Sequence, residues 1–242
     1  MSETVLIVGA GATAGVGGAL ARKFSEAGYH VIVVGRTSEK LEALVSEIIE
    51  RGGSAGSVVA DVTSEVDQEK MAAAVRAREK PLAAVIYNAG SNFPIKFSDV
   101  TPEQFEAFWR VGCFGAFLTA RHALPLFSEQ GKGSLFFTGA SASLRGRPNF
   151  GHFSVAKAGL RNLAQALARE YGPQGIHVAH VVIDGVVNGD IVRGRFGDYL
   201  TSLGDDGALE PDAIAEAFWS LHAQHPSAWT HELDLRPYKE SW

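Results

Sequence analysis

The stretch Gly11-Ala12-Thr13-Ala14-Gly15-Val16-Gly17 decides the fold that this sequence predicts. It comes just after the apolar run Thr4–Val8, which is typical of a buried strand, and it opens a helical pattern that ends at Gly28. Glycines at such a turn let the backbone approach a pyrophosphate, and the helix that follows offers unpaired N–H groups to it. The turn therefore predicts a dinucleotide site, and a tight turn that binds no ligand is the alternative.

Strand and helix patterns alternate from this turn to the end of the chain. The further predicted strands are His30–Val34, Ser57–Ala60, Leu82–Tyr87, Ser134–Thr138, Ile176–Ile183 and Trp229–Leu235. The predicted helices are Gly15–Ala27, Glu39–Glu50, Ser64–Lys80, Thr101–Ser128, Phe150–Tyr171 and Pro211–His222. Apolar strands between helices indicate a parallel sheet that is covered on both faces. We expect a single α/β domain over residues 1–242.

One segment between the predicted elements lacks a regular pattern. It is Asp184–Gly207, which is rich in glycine and aspartate. A long irregular stretch in a compact domain is more often a lid or binding loop than a segment without a function. We therefore predict a substrate lid or loop over residues 184–210.

Composition excludes several classes of protein. Hydrophobic residues make up 46% of the 242 residues, which is typical of a packed globular chain, and a net charge of -5 argues against a nucleic-acid partner. The single cysteine, Cys113, excludes a disulfide scaffold, and no metal site is predicted. The uncharged segment Thr4–Ala21 is long enough to suggest a membrane span, but its five glycines and the absence of a preceding basic cluster argue against one. We expect a cytoplasmic protein with no membrane partner.

Three motifs further along the chain accompany the glycine turn. Asp61-Val62 follows the third predicted strand, Asn88-Ala89-Gly90 follows the fourth, and Lys157 lies four residues after Phe153. With the spacing of Gly11, Gly15 and Gly17, these motifs resemble the short-chain dehydrogenase/reductase family over much of the chain. The resemblance implies a Rossmann-type doubly wound sheet of about seven parallel strands with helices on both faces. It also implies a nicotinamide cofactor, a small-molecule substrate and a homodimer or homotetramer.

The same resemblance supplies a set of expected cofactor contacts. They are Gly11, Thr13, Ala14, Gly15, Val16, Gly17, Arg36, Thr37, Asp61, Val62, Asn88, Ala89, Gly90, Lys157 and Val187. After the second strand of such folds, an acid binds the 2′-hydroxyl of NAD, whereas an arginine favours the 2′-phosphate of NADP. This chain has Arg36 and Thr37 there and no acid, so NADP(H) is predicted, with NAD(H) as the alternative because Glu39 is close. A solvated arginine that caps the next helix is the structural alternative for Arg36.

The catalytic positions depart from the family pattern. The resemblance implies a tyrosine that handles the proton, a lysine four residues later, a serine thirteen residues before the tyrosine, and an asparagine in the fourth helix. Lys157 is present, but the tyrosine position is Phe153, the serine position is Ala140 and the asparagine position is Gly112. Phe153 carries no proton donor, and general acid catalysis is typically worth about 10²–10⁴ in rate. The expected catalytic positions are therefore Lys157 and Phe153, together with Ser141, which follows Ala140, and His152, which precedes Phe153.

Several groups are candidates to replace the missing proton donor. Histidine is a common general acid, but His152 points about 100° away from the helix face of Phe153, so a helix-start or interface histidine is the alternative. Ser141 could bind a carbonyl or be an ordinary turn serine, and Asp184 could accept protons or cap the following loop. Water is a further source. Arg145 and Arg147 would attract an acidic substrate or remain solvated.

Two functions follow from these patterns. The first is an NADP(H)-dependent oxidoreductase that acts on a small carbonyl, alcohol or activated double bond by hydride transfer, with a non-standard proton donor. The second is a non-redox NADP(H)-binding protein, which would be a sensor, a partner subunit or a pseudoenzyme. The retained cofactor motifs favour the first function, and the lost catalytic residues favour the second.

Overall fold

Strands and helices alternate along residues 2–240, the part of the chain that the computed structural model describes. The strands are β1 (Thr4–Val8), β2 (His30–Gly35), β3 (Ser54–Val59), β4 (Leu82–Tyr87), β5 (Gly133–Thr138), β6 (Ile176–Ile183) and β7 (Glu232–Leu235). The α-helices are α1 (Val16–Glu26), α2 (Ser38–Glu50), α3 (Glu65–Arg76), α4 (Pro102–Trp109), α5 (Gly115–Gln130), α6 (Gly151–Tyr171), α7 (Asp190–Leu203) and α8 (Pro211–His222). Met1, Ser241 and Trp242, the ends of the predicted domain, lie outside the described residues.

All seven strands pair in parallel in one sheet, in the order β3-β2-β1-β4-β5-β6-β7. Successive side chains of β1 enter two separate cores, because Val5 and Ile7 pack on one face and Leu6 and Val8 on the other. Helices α1, α2 and α8 cover the first face, and α3, α5 and α6 cover the second. The predicted doubly wound sheet is confirmed. Its strand order reverses between β1 and β4, which is where open α/β sheets bind ligands.

The predicted helix Thr101–Ser128 is helical over residues 102–130, but it is not α-helical throughout. A π-helical turn over Arg110–Phe114 separates α4 from α5. In a π-helical turn the backbone hydrogen bonds span five residues, so some carbonyls lose their regular α-helical partner. One of these carbonyls accepts instead from the buried side chain of Tyr87. The Tyr87 hydroxyl donates to the carbonyl of Val111 at 2.5 Å. The partner of this carbonyl comes from β4, a contact that the local pattern could not reveal.

The segment Asp184–Gly207, which the sequence analysis left irregular, contains the helix α7. The helix begins after Gly189 and ends at Gly204, and the conformation of Phe196 interrupts its regularity (φ -137°, ψ 36°). None of its residues is buried, and Ile191 and Phe196 are more than half exposed. The mixture of glycine, charge and exposed apolar residues hides its helical periodicity, and the helix lies on the surface with little packing to hold it.

Three element boundaries differ from prediction by three residues or more. Strand β3 begins three residues earlier than predicted, and it does so at the exposed edge of the sheet, where its residues are polar or small. Strand β7 begins later, because a short 3₁₀ turn and Trp229, whose ring stacks on His177 at 4.8 Å, precede it. Helix α3 ends at Arg76, before the predicted Lys80.

Candidate cofactor and active site

The glycine turn after β1 contains glycines of two kinds. A Cβ atom on Gly17 would lie 2.8 Å from the Cα atom of Ala10, so packing alone requires glycine there. A Cβ atom on Gly11 would have no protein atom within 4 Å, and the backbone of Gly11 is not left-handed. Internal packing therefore does not require glycine at position 11. The missing side chain leaves open space above the turn, which is what a pyrophosphate needs.

Helix α1 presents an uncapped amino end to this space. Its N-cap residue is Gly15, no side chain accepts from its first N–H groups, and its first turn has no acidic residue. The first backbone bond of the helix runs from Ala19 N–H to the Gly15 carbonyl. Arg22 fixes the turn from behind, because its Nη1 donates to the Thr13 carbonyl at 2.7 Å. Free N–H groups at the positive end of a helix dipole favour an anion.

The other predicted cofactor residues lie at the carboxyl ends of neighbouring strands. Asn88 ties β4 to β1, since its Nδ2 donates to the Gly9 carbonyl at 3.1 Å. Asp61 begins the turn after β3, where its Oδ1 accepts from the backbone N–H and the hydroxyl of Thr63. Val187 pairs in a parallel bridge with Leu209 in the segment after β6. Of the remaining members of this group, Thr13, Ala14, Val62, Ala89 and Gly90 lie in the same turns, and Val16 is the first residue of α1.

Arg36 projects from the carboxyl end of β2 without a protein partner. Its side chain is exposed and makes no hydrogen bond or ion pair with any residue in the described part of the chain. The N-cap of α2 is Thr37, so Arg36 does not cap that helix. Glu39 lies in the first turn of α2 and is exposed. An unpaired guanidinium at this strand end can form charge-assisted hydrogen bonds with a phosphate.

Lys157 is buried at the same edge of the sheet. Its Nζ donates to the Thr138 carbonyl at 2.6 Å, at the end of β5, and lies 5.8 Å from the centre of the Phe153 ring. A Cβ atom on Gly90 would be 3.5 Å from this Nζ, so the ammonium lies close to the end of β4 as well. Burial lowers the pKa of Lys157 to about 8, because desolvation disfavours the charged form.

Close packing between two helical segments accompanies the missing asparagine. Gly112 lies in the π-helical turn, and a Cβ atom there would approach the Cβ atom of Ala156 on α6 to 2.8 Å. An asparagine therefore does not fit at position 112 unless α6 moves. Phe153, at the tyrosine position, is buried, with 8% of its surface exposed. The absence of the asparagine is thus matched by a close contact between α6 and the π-helical turn.

A buried chain of hydrogen bonds supports the turn that contains Ala140. The Ala140 N–H donates to Ser143 Oγ at 3.1 Å, and this hydroxyl lies 3.2 Å from Nε2 of His180. His180 Nδ1 lies 3.1 Å from Glu232, which accepts two hydrogen bonds from Arg161. Because a carboxylate only accepts, the network assigns the proton to Nδ1 and leaves Nε2 to accept from Ser143.

Sequence reasoning missed this chain of residues. His180 and Ser143 are 37 residues apart, and Arg161 and Glu232 are 71 apart, so no local pattern joins them. Burial lowers the pKa of His180 to about 4, which keeps the imidazole neutral and the direction of its hydrogen bonds fixed at neutral pH. The network holds the backbone at the family's serine position even though the serine itself is absent.

The candidate proton donors occupy different environments. Ser141 begins a 3₁₀ turn after β5, and its hydroxyl makes no hydrogen bond within residues 2–240. His152 is 2% exposed, its Nε2 lies 3.2 Å from the Phe93 carbonyl, and its ring centre is 4.2 Å from that of Phe108. Asp184 is buried between two guanidinium groups. Ser141 thus keeps a free hydroxyl, whereas His152 is held in an aromatic setting.

The ion pairs of Asp184 correct two expectations. Arg145 donates to both carboxylate oxygens of Asp184 at 3.0 Å, and Arg236 lies 3.2 Å away. Asp184 is therefore a buried ion-pair partner rather than a free proton acceptor or a simple loop cap. For the same reason Arg145 is not available to attract an acidic substrate. Arg147 has no such partner among the described residues.

Two searches of residues 2–240 concern metals and membranes. No group of three or more histidine, cysteine, aspartate or glutamate residues is arranged to hold a metal ion there. No helix in that range combines the length and apolar character needed to cross a bilayer.

The fold defines an α/β protein of the doubly wound class, in which ligands bind at the carboxyl ends of the strands. Residues 3–198 match the family model for short chain dehydrogenases, and the chain belongs to that family, a family of oxidoreductases. The oxidoreductase asL5 of Sarocladium schorii is 34% identical over 176 residues, which cover 73% of this chain and 69% of that protein. The 4-formylbenzenesulfonate dehydrogenase of Comamonas testosteroni is 31% identical over 179 residues, covering 74% and 71%.

A solved structure extends the likeness over nearly the whole chain. The short-chain dehydrogenase from Rhodopseudomonas palustris shares 36% sequence identity, with a TM-score of 0.83 over 98% of this chain and 99% of that one. The predicted family and fold class are thereby confirmed.

Proposed function

We propose that the chain is an NADP(H)-dependent oxidoreductase that acts by hydride transfer on a small carbonyl, alcohol or activated double bond, with a proton donor other than tyrosine. The observation that carries this proposal is the open space at Gly11 in front of the uncapped amino end of α1. Family membership supports the redox class of reaction.

The residues of the site fit a nicotinamide dinucleotide. The glycine turn and the N–H groups of α1 would hold the pyrophosphate, Arg36 and Thr37 the 2′-phosphate, and Lys157 the nicotinamide ribose. Two solved structures of the same fold support this choice of cofactor. They are an alcohol dehydrogenase from Thermococcus sibiricus with 5-hydroxy-NADP (24% identity, TM-score 0.86) and actinorhodin polyketide ketoreductase with NADPH (24%, 0.88).

The chain's own groups would handle charge and protons at the substrate. When bound, the nicotinamide supplies or accepts the hydride. The Lys157 ammonium, desolvated beside Phe153, stabilises negative charge that develops on a substrate oxygen, and low local polarity strengthens that attraction. The free hydroxyl of Ser141 can donate a hydrogen bond to the same oxygen. The net proton then comes from Ser141, His152 or water.

Replacing Arg36 with alanine tests the cofactor assignment. We expect the Kd for NADPH to rise by about 10- to 100-fold, because charge-assisted hydrogen bonds are worth about 1.5–3 kcal/mol. NADH lacks the 2′-phosphate, so its Kd should change little. Ligand fluorescence titrations with both nucleotides measure the two values.

A matched control for this experiment is Lys40→Ala, which removes an exposed cation from the same helix region. Equal weakening of NADPH and NADH by Arg36→Ala, or an unchanged NADPH Kd, would contradict a role for Arg36 in phosphate recognition. Failure of the wild-type protein to bind either nucleotide would remove the basis of the proposed function.

The second candidate, a non-redox NADP(H)-binding protein, is favoured by one observation. Phe153, Ala140 and Gly112 replace three family residues, and the close approach of Gly112 to Ala156 leaves no room for the missing side chain. A protein that senses or stores the nucleotide needs the pocket but not the proton donor. Its expected behaviour is nucleotide binding without hydride transfer to any product.

Two further proposals concern the surroundings of the site. Residues 184–210 would act as a substrate lid, which the weak packing of α7 favours. A homodimer or homotetramer would form through α4, α5 and α6, where Trp109, Phe117 and Val155 are more than one third exposed. Such a protein would work in the cytoplasm, where the free thiol of Cys113 remains reduced.

A further inference from the structure

A cavity of about 210 Å³ lies beside the amino end of α6. Its apolar wall consists of Ile95, Phe97, Val100, Phe105 and Pro148. Arg147, Asn149, Gly151 and His152 complete the lining. This volume is below the roughly 300–1,000 Å³ of sites for drug-sized ligands, so the cavity suits a small molecule.

One end of this cavity carries positive charge without a partner. The side chain of Arg147 is exposed and makes no hydrogen bond or ion pair within the described residues, and no acidic residue lines the cavity. Helix α6 begins at Gly151, no side chain caps it at Phe150, and its first turn contains no acid. A free guanidinium and an uncapped helix end favour the same kind of ligand group, an anion.

The imidazole of His152 limits which anionic ligand the cavity favours. Its Nε2 is paired with the Phe93 carbonyl, which only accepts, so Nε2 carries a proton. Its Nδ1 is buried and has no hydrogen-bond partner within residues 2–240, and the residue as a whole is only 2% exposed. A buried polar atom without a partner costs about 1–3 kcal/mol, so a ligand that pairs with Nδ1 recovers this energy. A carboxyl group can do so in either protonation state, because it donates to a neutral Nδ1 or accepts from a protonated one.

We propose that this cavity binds a small organic carboxylate. The carboxylate would lie between Arg147 and the amino end of α6, within reach of His152, and the apolar body of the ligand would rest against Phe97 and Phe105. The apolar wall excludes inorganic anions as the preferred occupant, because they leave that surface uncovered.

The inference deepens the proposed function and rests on it. His152, one of the candidate proton donors of the proposed function, lines the cavity, and Phe153 and Lys157 follow it on α6 without lining the cavity themselves. A ligand that is held there as the substrate is a carbonyl or alcohol compound that also carries a carboxylate and an apolar group.

Calorimetric titration of the full chain with 3-phenylpropionate tests the proposal. We expect the carboxylate to bind and the matched alcohol, 3-phenylpropanol, to bind at least about tenfold more weakly, since it lacks the charge. Arg147→Gln should weaken binding of the carboxylate by roughly tenfold and leave binding of the alcohol unchanged. Arg147 is exposed and unpaired, so this substitution leaves the fold intact.

The matched control is Arg121→Gln, which removes an equally exposed and unpartnered arginine from α5, away from the cavity. It should leave the Kd of the carboxylate unchanged. Equal binding of acid and alcohol, equal effects of the two substitutions, or no binding of the acid at 10 mM, about ten times the roughly 1 mM Kd of a weak site, would overturn the proposal. NADPH titration of the same samples separates this outcome from a failure of the proposed function, because that titration does not involve Arg147.

Discussion

Replacing Phe153 with tyrosine is expected to raise the rate of carbonyl reduction by about 10²–10⁴-fold, the usual contribution of a placed general acid. The ring at this position lies beside the Lys157 ammonium, 5.8 Å from its centre. A phenol hydroxyl there would gain a proton that it can donate, and a neighbouring positive charge lowers the pKa of a phenol. Steady-state oxidation of NADPH with a panel of small ketones and aldehydes measures the gain.

The control for this substitution is Phe150→Tyr, which adds the same hydroxyl three residues earlier, before α6 begins. It should give no gain in rate. If Phe153→Tyr binds NADPH normally and gives no gain either, Lys157 and the cofactor pocket do not retain the arrangement of a reductase. That result would favour the non-redox NADP(H)-binding function.

Replacing Gly11 with valine is expected to raise the Kd for NADPH by roughly a hundredfold or more, about 2.7 kcal/mol, without lowering the stability of the protein. A Cβ atom at this position meets no protein atom within 4 Å, so the fold accommodates it. The added methyl groups would instead fill the space that the pyrophosphate needs. Thermal unfolding and fluorescence titration, made on the same sample, measure the two effects.

The comparison variant is Gly17→Ala, in which the new Cβ atom would lie 2.8 Å from the Cα atom of Ala10. This variant should lower the melting temperature, because backbone atoms must shift to accommodate the methyl group. A Gly11→Val protein that binds NADPH as tightly as the wild type would show that the space above the turn is not a pyrophosphate site. The pair of variants therefore separates the ligand's requirement for glycine from that of packing.

The parts of the fold that the sequence predicted depend on local patterns. The bounds of β1, β4 and β6 agree with the apolar runs Thr4–Val8, Leu82–Tyr87 and Ile176–Ile183, because strands buried on both faces read as continuous apolar segments. The glycine turn was equally local, since strand, glycines and helix follow one another within a few residues.

The parts that could not be predicted depend on contacts between distant segments. The π-helical turn has its partner in Tyr87, and the absence of a side chain at Gly112 reflects the approach of Ala156. The hydrogen bonds from Ser143 through His180 to Glu232 join three separate elements. In each case the deciding neighbour lies tens of residues away, and periodicity carries no information about it.

The candidate site divides along the same line. Arg36 and Asn88 follow strands, Lys157 lies on α6, and the structure brings all three positions to one edge of the sheet. The pairing of Asp184 with Arg145 was not predictable, because both residues looked like free charges in sequence. Their ion pair removes two candidates and leaves Arg147 as the arginine of that loop without a partner in the described chain.

Transfer of deuterium from labelled NADPH tests the central claim most directly. The protein would be incubated with NADPH deuterated at the nicotinamide C4 position and with a panel of small aldehydes, ketones and conjugated alkenes, and the products analysed by mass spectrometry. The account predicts that one or more products carry deuterium on the reduced carbon. A protein that binds NADPH but transfers deuterium to no product across the panel would contradict the assignment as an oxidoreductase.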